Sequence, residues 1–238
     1  MKVIGLIGGV TWVSTVDYYR HINRLVAERL GGLHSARLAL WSLDFAEMAE
    51  AQHAGDWGKV GDLIIAGARA LDAAGAEVFV ICANTLHLVY DRVVGETGLP
   101  FVHIVDAVGR AALEQEFGTV GLLGTRFTME HPFYRERLEK EFGLRVLVPD
   151  RGDRAEVHRI IYEELSQEKV LPSSRAAVRR IIEALAACGA RAVILGCTEL
   201  PHLFSGGPGS EPVPLLDPLI LHCREAVRLA LGADGSGR

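Results

Sequence analysis

The chain has 238 residues, of which 49% are apolar, and a formal net charge of −5 at pH 7. That length supports a substantial core in one or two domains, and mild acidity without a basic block argues against nucleic acid or an anionic membrane as a partner. No uninterrupted apolar run approaches the roughly 18 residues that span a bilayer, and the start MKVIGLIGG lacks the long apolar stretch and cleavage site of a signal peptide; the chain is expected to be soluble and cytoplasmic.

Short apolar runs alternate with amphipathic stretches from end to end. VIGL (3–6), ARLALWSL (36–43), AEVFVI (76–81) and FVHIV (101–105) read as strands, followed by TVGLL (119–123), RVLV (145–148), AVIL (192–195) and VPLL (213–216). Stretches 58–74, 129–142, 154–166 and 173–187 carry helical spacing between them. Near-continuous apolar strands alternating with helices predict parallel sheets covered on both faces, an α/β fold. GGPGSEP (206–212) reads as a loop, and the small polar tail ADGSGR (233–238) as frayed.

The chain also resembles itself. AGAEVFVICANTL (74–86) aligns with CGARAVILGCTEL (188–200), Gly75 falling on Gly189 at an offset of 114. VIGLIGG (3–9) aligns with TVGLLGT (119–125), Gly5 falling on Gly121 at an offset of 116. Two matches at nearly one offset predict two pseudo-symmetric α/β halves. The expected division is residues 1–104 plus 208–238, with a returning C-terminal strand and helix, against residues 105–207. Parallel sheets bind ligands at the carboxyl ends of their strands, so the active site is expected in a cleft between the halves. Four turns would line it: GGVTW (8–12), CANT (82–85), GTRFT (124–128) and GCTEL (196–200). Free backbone N–H groups in such turns hold carboxylates.

Four cysteines stand apart: Cys82, Cys188, Cys197 and Cys223. No C-x-x-C pair occurs, so no structural zinc or other metal site is expected. Cys197 directly follows an apolar strand, and an adjacent helix N-terminus would lower its pKa. Cys82 is different, because the repeat pairs Cys197 with Ala83 and places Cys82 on Gly196. A one-residue shift turns a strand side chain to the opposite face, so Cys82 reads either as a buried strand-end thiol or, if the turn twists, as a second reactive one. Cys188, at a helix end, and Cys223, in the terminal helix, read as packing residues. His87 and His202 lie just past the two turns, placed either to polarise a thiol or to cap. Thr198 and Glu199 are candidates to orient Cys197, to ligate substrate or to cap a helix. Thr125, Arg126, Met48 and Gln52 are candidates for the end that reads the substrate side chain. GLIGGV is not G-x-G-x-x-G, and no G-K-[ST] is present, so nucleotide binding is not expected.

The blocks GLIGGVTWVSTVDYYRHIN, RLGGLHSA, ANTLH, LGTRFTMEHPFYRERL and GCTEL, in that order along residues 2–231, resemble the aspartate/glutamate racemases. Within that family they are most similar to the bacterial broad-specificity or acidic amino-acid branch. The resemblance implies two α/β domains with the active site between them, no pyridoxal phosphate or other cofactor, a small amino-acid substrate and a homodimer. It also implies one cysteine before Asn-Thr in the first half and another in Gly-Cys-Thr in the second, flanking the substrate α-carbon. Cys197 occupies the second position. The first holds Ala83, which can neither take nor give a proton, so protonation on that face falls to Cys82, Thr85 or water. Asn84, Thr85 and Thr198 are expected around the substrate carboxylate, with Val10, Gln52, Ala83, Thr125 and Glu199 lining the rest. Related decarboxylases also carry a small residue at the first position and one cysteine at the second, which makes one-sided protonation by Cys197 the alternative. A catalytically impaired amino-acid-binding protein is the third reading.

Overall fold

A computed structural model describes residues 1–204 and 211–232. The loop expected over 206–212 therefore lies outside the described residues apart from Glu211 and Pro212, and the tail over 233–238 wholly so. The chain divides into two units: Met1–Ile104 with the stretch from Leu219 onward, and Val105–Pro218.

The first unit begins with β1 (Ile4–Gly8), α1 (Trp12–Leu30), β2 (Leu38–Ser42), α2 (Phe45–His53) and α3 (Trp57–Ala73). It continues with β3 (Val78–Ile81), a short 3-10 helix over Thr85–Val89 that runs into α4 (Tyr90–Thr97), and β4 (Phe101–Val102). Its sheet is parallel throughout, in the order β2-β1-β3-β4. All of β1 and β3 is buried, as unbroken Ile/Val/Leu runs require when helices cover both faces. One face packs Ile7, Phe79 and Ile81 against Met48, Ile64 and Ala68. The other packs Leu6, Val78 and Val80 against Tyr18, Ile22 and Val26. Each such Leu, Ile or Val contributes about 1.5–3 kcal/mol by leaving water. Asp44 and Asp56 cap α2 and α3, accepting from the Ala46 and Lys59 N–H groups at 3.0 and 2.9 Å.

The second unit carries α5 (Ile104–Glu114), β5 (Thr119–Gly124), α6 (Arg126–Glu130), α7 (Pro132–Phe142) and β6 (Arg145–Leu147). Then follow α8 (Arg151–Arg159), a π-turn over Ile160–Glu164, a 3-10 turn over Leu165–Gln167 and α9 (Pro172–Ala187). The unit ends in β7 (Ala192–Gly196), a 3-10 helix over Leu200–Phe204 and β8 (Leu215–Leu216). Its parallel sheet runs β6-β5-β7-β8. That order repeats the first unit's, strand for strand, as the internal repeat predicts. The terminal helix α10 (Pro218–Leu231) returns to the first unit, where Leu219, Cys223 and Val227 join the α1 face.

Several expectations are corrected. The strand in VPLL does not return to the first half: Val193 pairs with Leu215 and Ile194 with Leu216, so it forms the outer strand of the second sheet. FVHIV is a strand only at Phe101–Val102, because Ile104 already opens α5. The stretch 129–142 is two helices broken before Pro132, whose ring cannot continue a helix from the preceding turn. The stretch 154–166 leaves α-geometry at Ile160. Cys188 is exposed at the end of α9 and is not a packing residue, whereas Cys223 is buried. No helix among the described residues is long and apolar enough to cross a membrane.

Candidate functional site

In the second unit, β5 and β7 end level with each other, Gly124 beside Gly196. Both residues must be small. A Cβ on Gly196 would meet the Leu123 carbonyl oxygen at 2.8 Å, and one on Gly124 would meet Thr128 Cβ at 2.9 Å. The chain then turns into Thr125 on one strand and Cys197 on the other. Thr125 caps α6, its hydroxyl accepting from the Thr128 N–H at 3.4 Å.

Cys197 packs among Val193, Leu195 and Leu200, with the residue 9% exposed. Its Sγ–H donates to Glu199 Oε2 at 2.9 Å, and the Thr198 hydroxyl donates to the same oxygen at 2.8 Å. Burial pushes the thiol well above its ordinary pKa, and the charge and hydrogen bond of Glu199 push the same way. The backbone N–H groups of Glu199 and Thr198 favour the thiolate, but they are outweighed. The lowered pKa expected from a helix N-terminus is therefore corrected. The turn does supply N–H donors, yet burial and then the neighbouring carboxylate disfavour charge on the sulfur.

Residues that the sequence did not single out gather beside this pair. The Tyr162 phenol is pushed above its usual pKa by burial and then by negative charge at Cys197 and Glu199, so it feels both groups. Its ring packs on His158, with centroids 4.5 Å apart. The Arg126 N–H donates to His158 Nδ1 at 3.3 Å, and burial and then Arg126 lower the pKa of His158. Tyr162 rides on the π-turn, which Glu164 anchors by accepting from Arg159 at 2.8 Å and from the buried Ser174 hydroxyl. Single-residue bulges of this kind recur at functional sites. Only the i,i+4 spacing of His158 and Tyr162 could have flagged them.

In the first unit, the turn after β1 is closed by glycines. The Gly9 N–H donates to Thr15 Oγ1 at 2.8 Å, and a Cβ on Gly9 would lie 2.2 Å from the Leu43 carbonyl oxygen. Val10, the next residue, is half-buried and packs against the core of this unit. Gln52 is half-buried on α2, whereas Met48 beside it is fully buried core.

The turn after β3 bears on Cys82. Ile7 pairs with Ile81, and the Cys82 N–H continues the ladder by donating to the Ile7 carbonyl at 2.9 Å. Cys82 thus stands where Gly196 stands in the other unit, and Ala83 where Cys197 stands, as the sequence repeat indicates. The side chains agree. Cys82 packs with Val78, Val80, Tyr18 and Cys223, while Ala83 packs on the opposite face with Phe79 and Ile81. Burial alone drives the Cys82 thiol far above its ordinary pKa. Asn84 follows, 95% buried, and neither the oxygen nor the nitrogen of its side-chain amide has a hydrogen-bond partner. Leaving such a group unmet costs about 1–3 kcal/mol. Thr85, half-buried, opens the 3-10 helix. His87 is buried, donating Nδ1–H to the Ala83 carbonyl at 2.9 Å, and His202 lies in the 3-10 helix after Cys197.

The chain matches the family described as Asp/Glu/Hydantoin racemase over residues 7–226. A crystal structure of a candidate Asp/Glu racemase from Yersinia pestis is 46% identical, covers 98% of this chain and 100% of its own, and superposes with a TM-score of 0.91. An aspartate racemase homologue from Pyrococcus horikoshii OT3 is 38% identical over 98% of this chain and 100% of its own, with a TM-score of 0.85. A glutamate racemase of Herpetosiphon aurantiacus is 29% identical over 67% of this chain; the match spans 62% of that relative's length. The chain belongs to the Asp/Glu/hydantoin racemase family.

Proposed function

We propose that this protein is an amino-acid racemase of the aspartate/glutamate or broad-specificity kind that moves the Cα proton with Cys197 and uses no cofactor. The observation that carries the reading is the Cys197–Glu199 pair, a thiol at the carboxyl end of a parallel strand 2.9 Å from a carboxylate oxygen. The resting pair is thiol plus carboxylate. Passing the proton from Sγ to Glu199 Oε2 leaves a thiolate facing the backbone N–H groups of Thr198 and Glu199. The thiolate takes the α-proton, leaving a carbanion beside the substrate carboxylate; return of that proton from Sγ gives exchange with retention, and racemisation takes its second proton on the other face from Cys82, Thr85 or water. The α-proton is so weakly acidic that stabilising the carbanion is the larger task. The unmet amide of Asn84 and the hydroxyls of Thr85 and Thr198 are suited to hold the carboxylate without adding a competing charge. Thr125, Val10 and Gln52 complete the substrate contacts. A small acidic amino acid is the partner, and a homodimer in the cytoplasm the assembly. The test is proton exchange of L- and D-aspartate and glutamate in deuterium oxide, followed by NMR and chiral chromatography. Cys197→Ser is expected to abolish it; activity within about threefold of the parent would sink the assignment.

A second reading follows from Ala83. With no proton-bearing side chain at Ala83, and with Cys82 packed on the opposite face of the sheet, Cys197 is the cysteine left to act as the acid. A decarboxylase needs no more: loss of carbon dioxide leaves the carbanion, and the resting thiol protonates it from one side. Carbon dioxide release from disubstituted malonates, without α-proton exchange on amino acids, would select this reading.

A further inference from the structure

We propose that His87 is a positioning residue that holds the turn after β3 in the form that leaves the Asn84 amide unpaired. His87 is 97% buried on the 3-10 helix over Thr85–Val89. The Ile104 N–H points at Nε2 at 3.2 Å, and Nδ1 lies 2.9 Å from the Ala83 carbonyl oxygen. A backbone N–H can only donate and a carbonyl can only accept, so the two bonds fix the tautomer. Nε2 is bare, and Nδ1 carries the proton and donates it to Ala83. His87 also donates its own backbone N–H to the Asn84 carbonyl at 3.1 Å. One residue therefore engages the carbonyls of both Ala83 and Asn84. Asparagine side chains ordinarily compete for nearby backbone groups. Because those carbonyls already accept from His87, they are less open to the Asn84 Nδ2, and its Oδ1, an acceptor, cannot bond them. The imidazole is packed on three sides, by His103 with ring centroids 4.7 Å away, His222 at 5.7 Å and Tyr90 at 6.0 Å.

The two ends of the ring have separable tasks. Nε2 accepts from the first residue of α5, one of the N–H groups a helix leaves unpaired at its start. Nδ1 holds the turn. The inference rests on the proposed binding of a substrate carboxylate by Asn84, and it assigns to His87 the substrate affinity of that turn.

The experiment compares His87→Asn, whose amide nitrogen replaces Nδ1, with His87→Gln, whose amide oxygen replaces Nε2, and with His87→Leu. Exchange of the α-proton of L-aspartate and L-glutamate is measured over a range of substrate concentrations. In parallel, the Asn84 side-chain amide is followed by 15N NMR in the unliganded protein. The expected result is that Asn keeps KM near the parent's, while Gln raises it about tenfold with kcat little changed, the signature of lost uniform binding. The Asn84 signal should move in the Gln and Leu variants and stay in Asn. If Gln matches the parent and Asn behaves as Leu, His87 serves only as the cap of α5, and the proposal is overturned. Should the parent exchange neither substrate, the functional reading fails by itself. The Asn84 signal then decides: a shift confined to Gln and Leu upholds the positioning role, and an unmoved signal in all three ends it.

Discussion

The turns after β3 and β7 occupy the same place in two sheets of the same strand order, yet one offers a thiol and the other does not. The reason is one residue of register. At β7 the strand ends in Gly196, and the next residue, Cys197, continues the face of Val193 and Leu195. At β3 the cysteine comes one position early, at Cys82, and takes the face of Val78 and Val80. The period of two along a strand turns that single step into opposite faces. A cysteine in the right strand is thus insufficient; parity decides whether it joins the turn or the core.

The comparison breaks most sharply at the cysteines. Cys197→Ala should lower α-proton exchange by at least about 10³-fold, because no other group of the second turn forms a thiolate. Cys82→Ala should leave exchange within about twofold and lower stability by about 1 kcal/mol, through loss of a buried sulfur. Denaturant midpoints and deuterium incorporation measure both effects. Loss of racemisation in Cys82→Ala would show that the strand-end thiol reaches substrate after all. Next in size is the gain from Ala83→Cys, which puts a thiol on the face that Cys82 misses. Racemisation should rise about 10²-fold, the low end of what general acid–base groups supply, while the one-sided exchange that Cys197 drives changes little. An equal rise in both would mean that a base already serves that face.

A smaller effect isolates the carboxylate. Glu199→Gln keeps the shape of the pair but removes the charge that raises the Cys197 thiol. The thiol should titrate lower, and alkylation by iodoacetamide should shift to lower pH. Catalytic exchange should nonetheless fall about tenfold, since the proton acceptor at 2.9 Å is gone. Faster alkylation with unchanged exchange would leave Glu199 as a capping residue only.

The strands were legible because buried parallel strands are near-continuous apolar runs, and the duplication because glycines recur at nearly one offset, Gly5 and Gly121 where packing is close and Gly75 and Gly189 where φ is positive. Parity at Cys82 was legible for the same reason: the alignment of Gly75 with Gly189 carries a register with it. Other features lay beyond the sequence. The fate of β8 depends on which sheet edge a two-residue strand meets, and no local pattern encodes that choice. The direction of the Cys197 shift depends on a carboxylate two residues away folding back onto the sulfur. The π-turn that carries Tyr162 changes hydrogen-bond partners without changing composition, so its residues read as ordinary helix.

The two units also differ in what lies behind the turns, and pH exposes it. Behind β7 stands a carboxylate; behind β3 stand His87, His103 and His222, all buried. His222 accepts from the Tyr18 hydroxyl at Nδ1 and donates from Nε2 to the Val102 carbonyl, both at 2.9 Å, so it is neutral. Burial, reinforced by His87, lowers its pKa to about 3. The sign follows from linkage. Above an unfolded pKa near 6.5 both states are neutral, and His222 adds no pH dependence. Below it the unfolded chain takes up a proton that the folded protein refuses, so stability falls as pH drops, and goes on falling until the folded group titrates near 3. The slope is about 1.4 kcal/mol per pH unit for one such group. Denaturant unfolding of the parent between pH 7 and 4 should show at least that slope. His222→Gln should be less stable at pH 7, because it disturbs two buried bonds, and its slope should be shallower by up to one proton's worth. An unchanged slope would mean that His222 is protonated in the folded protein, and that the hydrogen bonds to Tyr18 and Val102 do not hold it neutral.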